Sequence, residues 1–135
     1  MKKTALITGV LLVFVLMLSG CRTTTVYNID NSNYLSDKKL TTSKVERAII
    51  KGSMKRGWVT KKIKTGLIEA KNNVRGKHLV IVNINYNSKG YKISYKDSRN
   101  MKYDAGSNTI HKNYNKWVSN LENDINYELF QLGAK

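Results

Sequence analysis

The 135-residue chain has no proline, one cysteine and two histidines, and its nine acidic residues face 24 basic ones, for a formal charge of +15. Each shortage excludes something. A single cysteine closes no disulfide within the chain, so the core has to be held by packing alone, even in an oxidising compartment. His78 and His111 stand apart, with no HExxH or CxxC spacing, and a zinc site needs three or four converging ligands. Nine scattered carboxylates provide no pair for acid–base work, and no glycine-rich phosphate loop occurs. Asp97, Ser98 and His111 are the residue types of a hydrolytic triad. However, Asp97 and Ser98 are adjacent, and no nucleophile-elbow sequence surrounds the serine. The expectation is a non-enzymatic protein without metal or cofactor.

Long hydrophobic runs are also scarce. The one that exists, residues 5–18, is interrupted only by Thr8 and Gly9 and follows Lys2 and Lys3. Spanning a bilayer takes about 20 apolar residues, so the run suits a signal peptide better than a permanent span. It closes on Leu18-Ser19-Gly20-Cys21. This segment resembles the signal peptide and lipobox of bacterial lipoproteins, with an aliphatic residue three before the cysteine and small residues between. The resemblance implies diacylation of the Cys21 sulfur, cleavage before Cys21 and acylation of the new amino group. A secretory signal with an incidental cysteine and an uncleaved anchor are the alternatives. The lone cysteine at the one useful place favours the lipoprotein. By resemblance to Gram-negative lipoproteins, Arg22 in place of aspartate implies an outer-membrane address facing the periplasm. A Gram-positive cell surface remains open.

Residues 1–20 thus form the cleaved signal, 21–42 a lipidated N-terminus and tether, and 43–135 a single basic domain. The tether reading rests on Thr23-Thr24-Thr25 and the polar residues 28–33; docking of Val26, Tyr27, Ile29, Tyr34 and Leu35 as an extra strand is its alternative. Without the signal, 22 Lys+Arg face nine Asp+Glu, a formal +13. Such charge suits an anionic neighbour, either lipid head groups or an envelope polymer, or it serves solubility alone. Nucleic acid is disfavoured by export and by the lack of a recognised nucleic-acid module.

A first helix is predicted over residues 44–56, with Ser43 and Glu46 as a capping box and Val45, Ala48, Ile49 and Gly52 on one face. Gly57 suits its end. The stretch 58–64 is ambiguous, because Trp58, Val59 and Ile63 alternate with lysines; Trp58 reads as core or as an interfacial membrane contact. Lys51, Lys55, Arg56, Lys61 and Lys62 make this the most basic part of the chain and the candidate site for an anionic surface. Strands are predicted over 66–71, 78–86 and 91–96, the second central because its first half is apolar on both faces. Residues 97–100 read as a turn and 101–103 as a short strand. A final helix over 110–132, capped by Asn108 or Thr109, carries Ile110, Tyr114, Trp117, Val118, Leu121, Ile125, Leu129 and Leu132 on one face. Glu128 lies near that face and should reach a lysine.

The predicted fold is α+β, of order α-β-β-β-α, with an antiparallel sheet of three to four strands and two helices on one face. Asp97, Ser98, Arg99, His111 and Asn113 form a candidate polar patch if the turn and the final helix meet. That patch reads as a ligand site or as a network fixing helix to turn. Residues 67–125 also look similar to small envelope lipoproteins of no assigned activity. The expected function is binding or scaffolding at an anionic envelope surface. The alternative is an accessory subunit that binds an envelope protein through exposed aromatics, with Tyr127 and Phe130 as candidates. Inhibition of a lysozyme fits poorly, since lysozymes are commonly basic too.

Overall fold

The computed structural model describes residues 22–133. The signal segment and Cys21, on which the lipobox reading falls, lie outside the described residues. In chain order the elements are β1 (Thr23–Thr25), β2 (Ile29–Asn31), α1 (Thr42–Met54), β3 (Val59–Lys64), β4 (Leu67–Val74), β5 (His78–Asn87), β6 (Gly90–Arg99), β7 (Thr109–His111) and α2 (Asn113–Gly133). The class is α+β, but the α-β-β-β-α order is corrected. Among the described residues seven strands form two sheets, a five-stranded one of order β2-β6-β5-β4-β3 and a two-stranded one of β1 with β7, and each of these pairings is antiparallel.

The extra strands have physical reasons. β3 is an edge strand, and its lysines are what keep such an edge from pairing with another chain. β1 and β2 are three residues each, too short to display alternation. The segment read as a tether therefore contributes two strands, and Val26, Ile29 and Leu35 are buried in the core. Residues 97–99, read as a turn, continue β6. A bulge lies between Ile81 and Val82 opposite this stretch, and it carries the pairing on to Arg99.

Alternation in β5 buries Val80, Val82, Ile84 and Tyr86, matched by Ile68 and Ala70 of β4 and Tyr91 and Ile93 of β6. Both helices lie against this face. Tyr86 and Tyr91 are cross-strand partners; the first hydrogen-bonds Glu46 of α1, and the second bonds Asn126 of α2 at 2.6 Å. Trp58 is core, 2% exposed. The helices meet at Gly52, where a Cβ would stand 2.8 Å from the Ile125 backbone. Gly57, at φ 82°, ends α1 in the left-handed conformation that glycine adopts freely.

Both predicted caps are corrected. Thr41, not Ser43, caps α1, its Oγ1 accepting from the Lys44 N–H at 3.2 Å. Glu46 is drawn instead to Lys62 and Tyr86. Thr109 lies in β7, and α2 opens after it, with His111 Nδ1 accepting from the Asn113 N–H at 3.2 Å.

Candidate anionic-surface site

Four of the five candidate cations are already paired inside the fold. Lys51 and Lys55 each lie 3.1 Å from Glu128, Arg56 lies 2.8 Å from Asp124, and Lys62 lies 3.0 Å from Glu46. Burial pushes the Glu128 carboxyl up, but hydrogen bonds from Lys55 and Lys51, with their charges, outweigh it and hold the group below the ordinary glutamate range. Hydrogen bonds from Tyr86 and then Lys62 hold Glu46 down likewise. Among the described residues only Lys61 of this set takes part in no ion pair. The cluster's charge is largely spent on joining α1 to α2 and to β3.

The candidate polar patch divides in two. Asp97 Oδ1 accepts from the Ser98 N–H at 2.8 Å, the Ser98 hydroxyl shares a hydrogen bond with Tyr95 at 2.8 Å, and Arg99 pairs with Leu79 in the sheet. His111 and Asn113 join β7 to α2. Among the described residues no hydrogen bond or ion pair links the two groups.

A different basic region comes together where β1 enters the domain. The Arg22 carbonyl accepts from the Lys112 N–H at 3.0 Å, and Thr23 pairs with His111. Asn115 clamps the entry: its side chain donates to the Thr25 carbonyl at 2.9 Å and accepts from the Tyr27 N–H at 3.0 Å. The His111 N–H donates to the Met101 carbonyl at 2.8 Å, which brings in Lys102. Asn100 donates to the Lys77 carbonyl at 3.1 Å, its own carbonyl contacts His78 Nδ1 at 2.8 Å, and His78 stands 6.5 Å from the Trp117 ring. One end of the molecule thus collects Arg22, Lys112 and Lys116, then Lys102 and Arg99, then Arg75 and Lys77 from the β4–β5 connection. Among the described residues, none of the six ion pairs involves any of these seven cations.

The electrostatics register the crowding. Burial lowers the His111 pKa first, and the positive surroundings of Lys102, His78, Lys112 and Arg22 lower it further. The nearest acids in sequence, Asp97 and Asp104, accept hydrogen bonds from their own loop or strand backbone. Tyr27 and Tyr103 flank the region, 48% and 39% exposed.

Sequence reasoning missed this end because its cations come from four separated segments. The one local signal is Arg22 directly after Cys21. Among the described residues no helix is long and apolar enough to cross a membrane, and no group of three or more His, Cys, Asp or Glu could hold a metal ion. No protein-family model, curated protein or solved structure matches the chain.

Proposed function

We propose that this is a cell-envelope lipoprotein, anchored through lipid on Cys21, whose basic end docks on an anionic membrane surface. Its domain acts by binding or scaffolding rather than by catalysis, at the outer membrane facing the periplasm. The observation that carries the reading is the entry of the chain. Arg22 is one peptide bond from Cys21, and its carbonyl is already bonded to Lys112. Lipid on Cys21 would therefore hold the unpaired cations against the head groups, with no spacer between.

Two further observations support it. Exposed Tyr27 and Tyr103 are the amphipathic aromatics that favour a membrane interface. Arg75 and Lys102 occupy left-handed backbone, at φ 57° and 52°, where glycine or asparagine fits at lower cost. Long cations at strained positions are better explained by a task than by the fold. Each cation held near an anionic surface contributes about 1 kcal/mol, so the set supplements the acyl chains substantially.

The test is co-sedimentation of unlipidated residues 22–135 with vesicles of phosphatidylcholine and phosphatidylglycerol, across a series from about 50 to about 300 mM salt. Binding should be strong at low salt, fall steeply along the series and be absent with pure phosphatidylcholine. The paired reversal Arg99→Glu, Lys112→Glu should abolish it. Equal binding to neutral vesicles, or binding indifferent to that reversal, would refute the reading.

A further inference from the structure

The groove between α1 and α2 lies at the other end of the helical layer, and we infer that it is a docking site for an acidic, amphipathic segment of a partner protein. Its origin is geometric. The helices run antiparallel, as the Arg56–Asp124 and Lys51–Glu128 pairs require. They touch most closely where Gly52 meets Ile125. Crossing helices separate on either side of their contact, and here a groove of about 520 Å³ opens between Lys44, Arg47 and Lys51 on one wall and Tyr127, Gln131 and Leu132 on the other.

Charge and polarity specify the occupant. Among the described residues Glu128 is the only acid lining the groove, and Lys51 and Lys55 already neutralise it. Lys44 and Arg47 take part in no ion pair among the described residues. The first turn of α1 has no acid either, so the positive helix end adds to the field. The rim is apolar: Tyr127 is 54% exposed and Leu132 38%. A complementary ligand presents carboxylates to Lys44 and Arg47 and apolar side chains to the rim. An amphipathic acidic helix laid in a two-helix groove does both. A polyanion without apolar groups leaves the rim uncovered, and a second copy of this chain brings the same positive charge. The inference uses the membrane reading only for direction: α2 spans about 30 Å at 1.5 Å per residue, so its far end faces away from the lipid.

The probe is a synthetic helical peptide of about 18 residues with leucines on one face and glutamates flanking them. Its binding is followed by fluorescence anisotropy to the lipidated protein in phosphatidylcholine vesicles. We expect saturable binding, weakened at least about tenfold by Lys44→Glu with Arg47→Glu, and also, to a smaller extent, by the milder pair Lys44→Gln with Arg47→Gln. Tyr127→Ala should weaken it about fivefold. Arg99→Glu with Lys112→Glu should leave it within about twofold, since those cations lie beyond screening distance. Equal affinity for a glutamine version of the peptide, equal loss at both cationic regions, or indifference to Lys44 and Arg47 would each overturn the inference. So would a groove variant that impairs docking on anionic vesicles as much as the Arg99 and Lys112 pair does. Loss of vesicle docking with peptide binding intact would remove the membrane reading alone.

Discussion

Lys51, Lys55, Arg56 and Lys62 each stand within 3.1 Å of a carboxylate, while Arg22, Arg75, Lys77, Arg99, Lys102, Lys112 and Lys116 enter none of the ion pairs among the described residues. Both regions are rich in cations, yet they do different physical work. In the first, charge holds α1 against α2 and β3, through partners far apart in sequence, such as Arg56 and Asp124, 68 residues apart. In the second, like charges accumulate without relief and cost the fold some self-repulsion. A dense basic stretch of sequence therefore need not be the basic surface of the molecule, because long-range pairing decides where positive charge stays available.

The largest effect should come from separating the helices of the paired region. Gly52→Ala sets a Cβ 2.8 Å from the Ile125 backbone, and such overpacking typically costs about 1–3 kcal/mol. Thermal unfolding should fall by roughly 10 °C for about 2 kcal/mol at this domain size. An unchanged midpoint would mean that the two helices can part freely, and would remove the geometric origin of the groove.

Charge neutralisation separates the regions directly. Lys55→Gln with Arg56→Gln should lower stability by about 1 kcal/mol and leave docking on anionic vesicles within about twofold. Arg99→Gln with Lys112→Gln should leave stability nearly unchanged and weaken docking by about 2 kcal/mol, roughly thirtyfold. The opposite pattern would return the membrane face to the α1–β3 cluster. Lys102→Gly sharpens the contrast: by relieving left-handed backbone at φ 52° it should raise stability by up to about 1 kcal/mol while weakening docking. Chemical denaturation and vesicle sedimentation on the same variants check both signs.

How much of this was legible in the sequence depended on the range of the determining interaction. Both helices, β5 and the central part of β6 followed from local periodicity, and the reach of Glu128 to a lysine followed from its place beside the apolar stripe of α2. The edge strand β3 was hidden by Lys61, Lys62 and Lys64. The capping box at Ser43 and Glu46 failed because Glu46 finds stronger partners in Tyr86 and Lys62, 40 and 16 residues away. Asp97 and Ser98 looked like a turn because both are small and polar, although a bulge in the pairing keeps them in the sheet. The basic end could not be assembled from sequence at all, since neither the β1–β7 pairing nor the Asn115 clamp has a local signature.

Glu128 gives the paired region a smaller, acid-side signature. Its folded pKa is lowered, so its contribution to stability is present above the unfolded value of about 4.3 and is lost as pH falls through the folded value. With Lys51 and Lys55 side chains 74% and 37% exposed, solvent screening keeps the effect below about 1 kcal/mol. Glu128→Gln should flatten the acid limb of the stability curve below about pH 4.5 and leave vesicle docking unaltered. A steeper limb in the variant would remove the ion pair as its cause.

The smallest effect reports on the other region from within. His111 titrates below its ordinary value because it is half-buried and then because Lys102, His78, Lys112 and Arg22 surround it with positive charge. The sign for folding follows: its contribution to stability is complete above about pH 6.5 and is lost as pH falls through the lowered folded value. An anionic surface against this end opposes the field that depresses the group. NMR titration should therefore find the His111 pKa raised when phosphatidylglycerol vesicles are added, and unmoved by phosphatidylcholine. Proton and surface then bind cooperatively, so docking should strengthen from neutral to mildly acidic pH. Lys102→Gln should raise the same pKa without any vesicle, because it removes one of the charges responsible. If anionic vesicles bind and His111 does not respond, the surface has met the protein elsewhere. The unpaired cations around β1 would then be a solvated end of the domain rather than its membrane face.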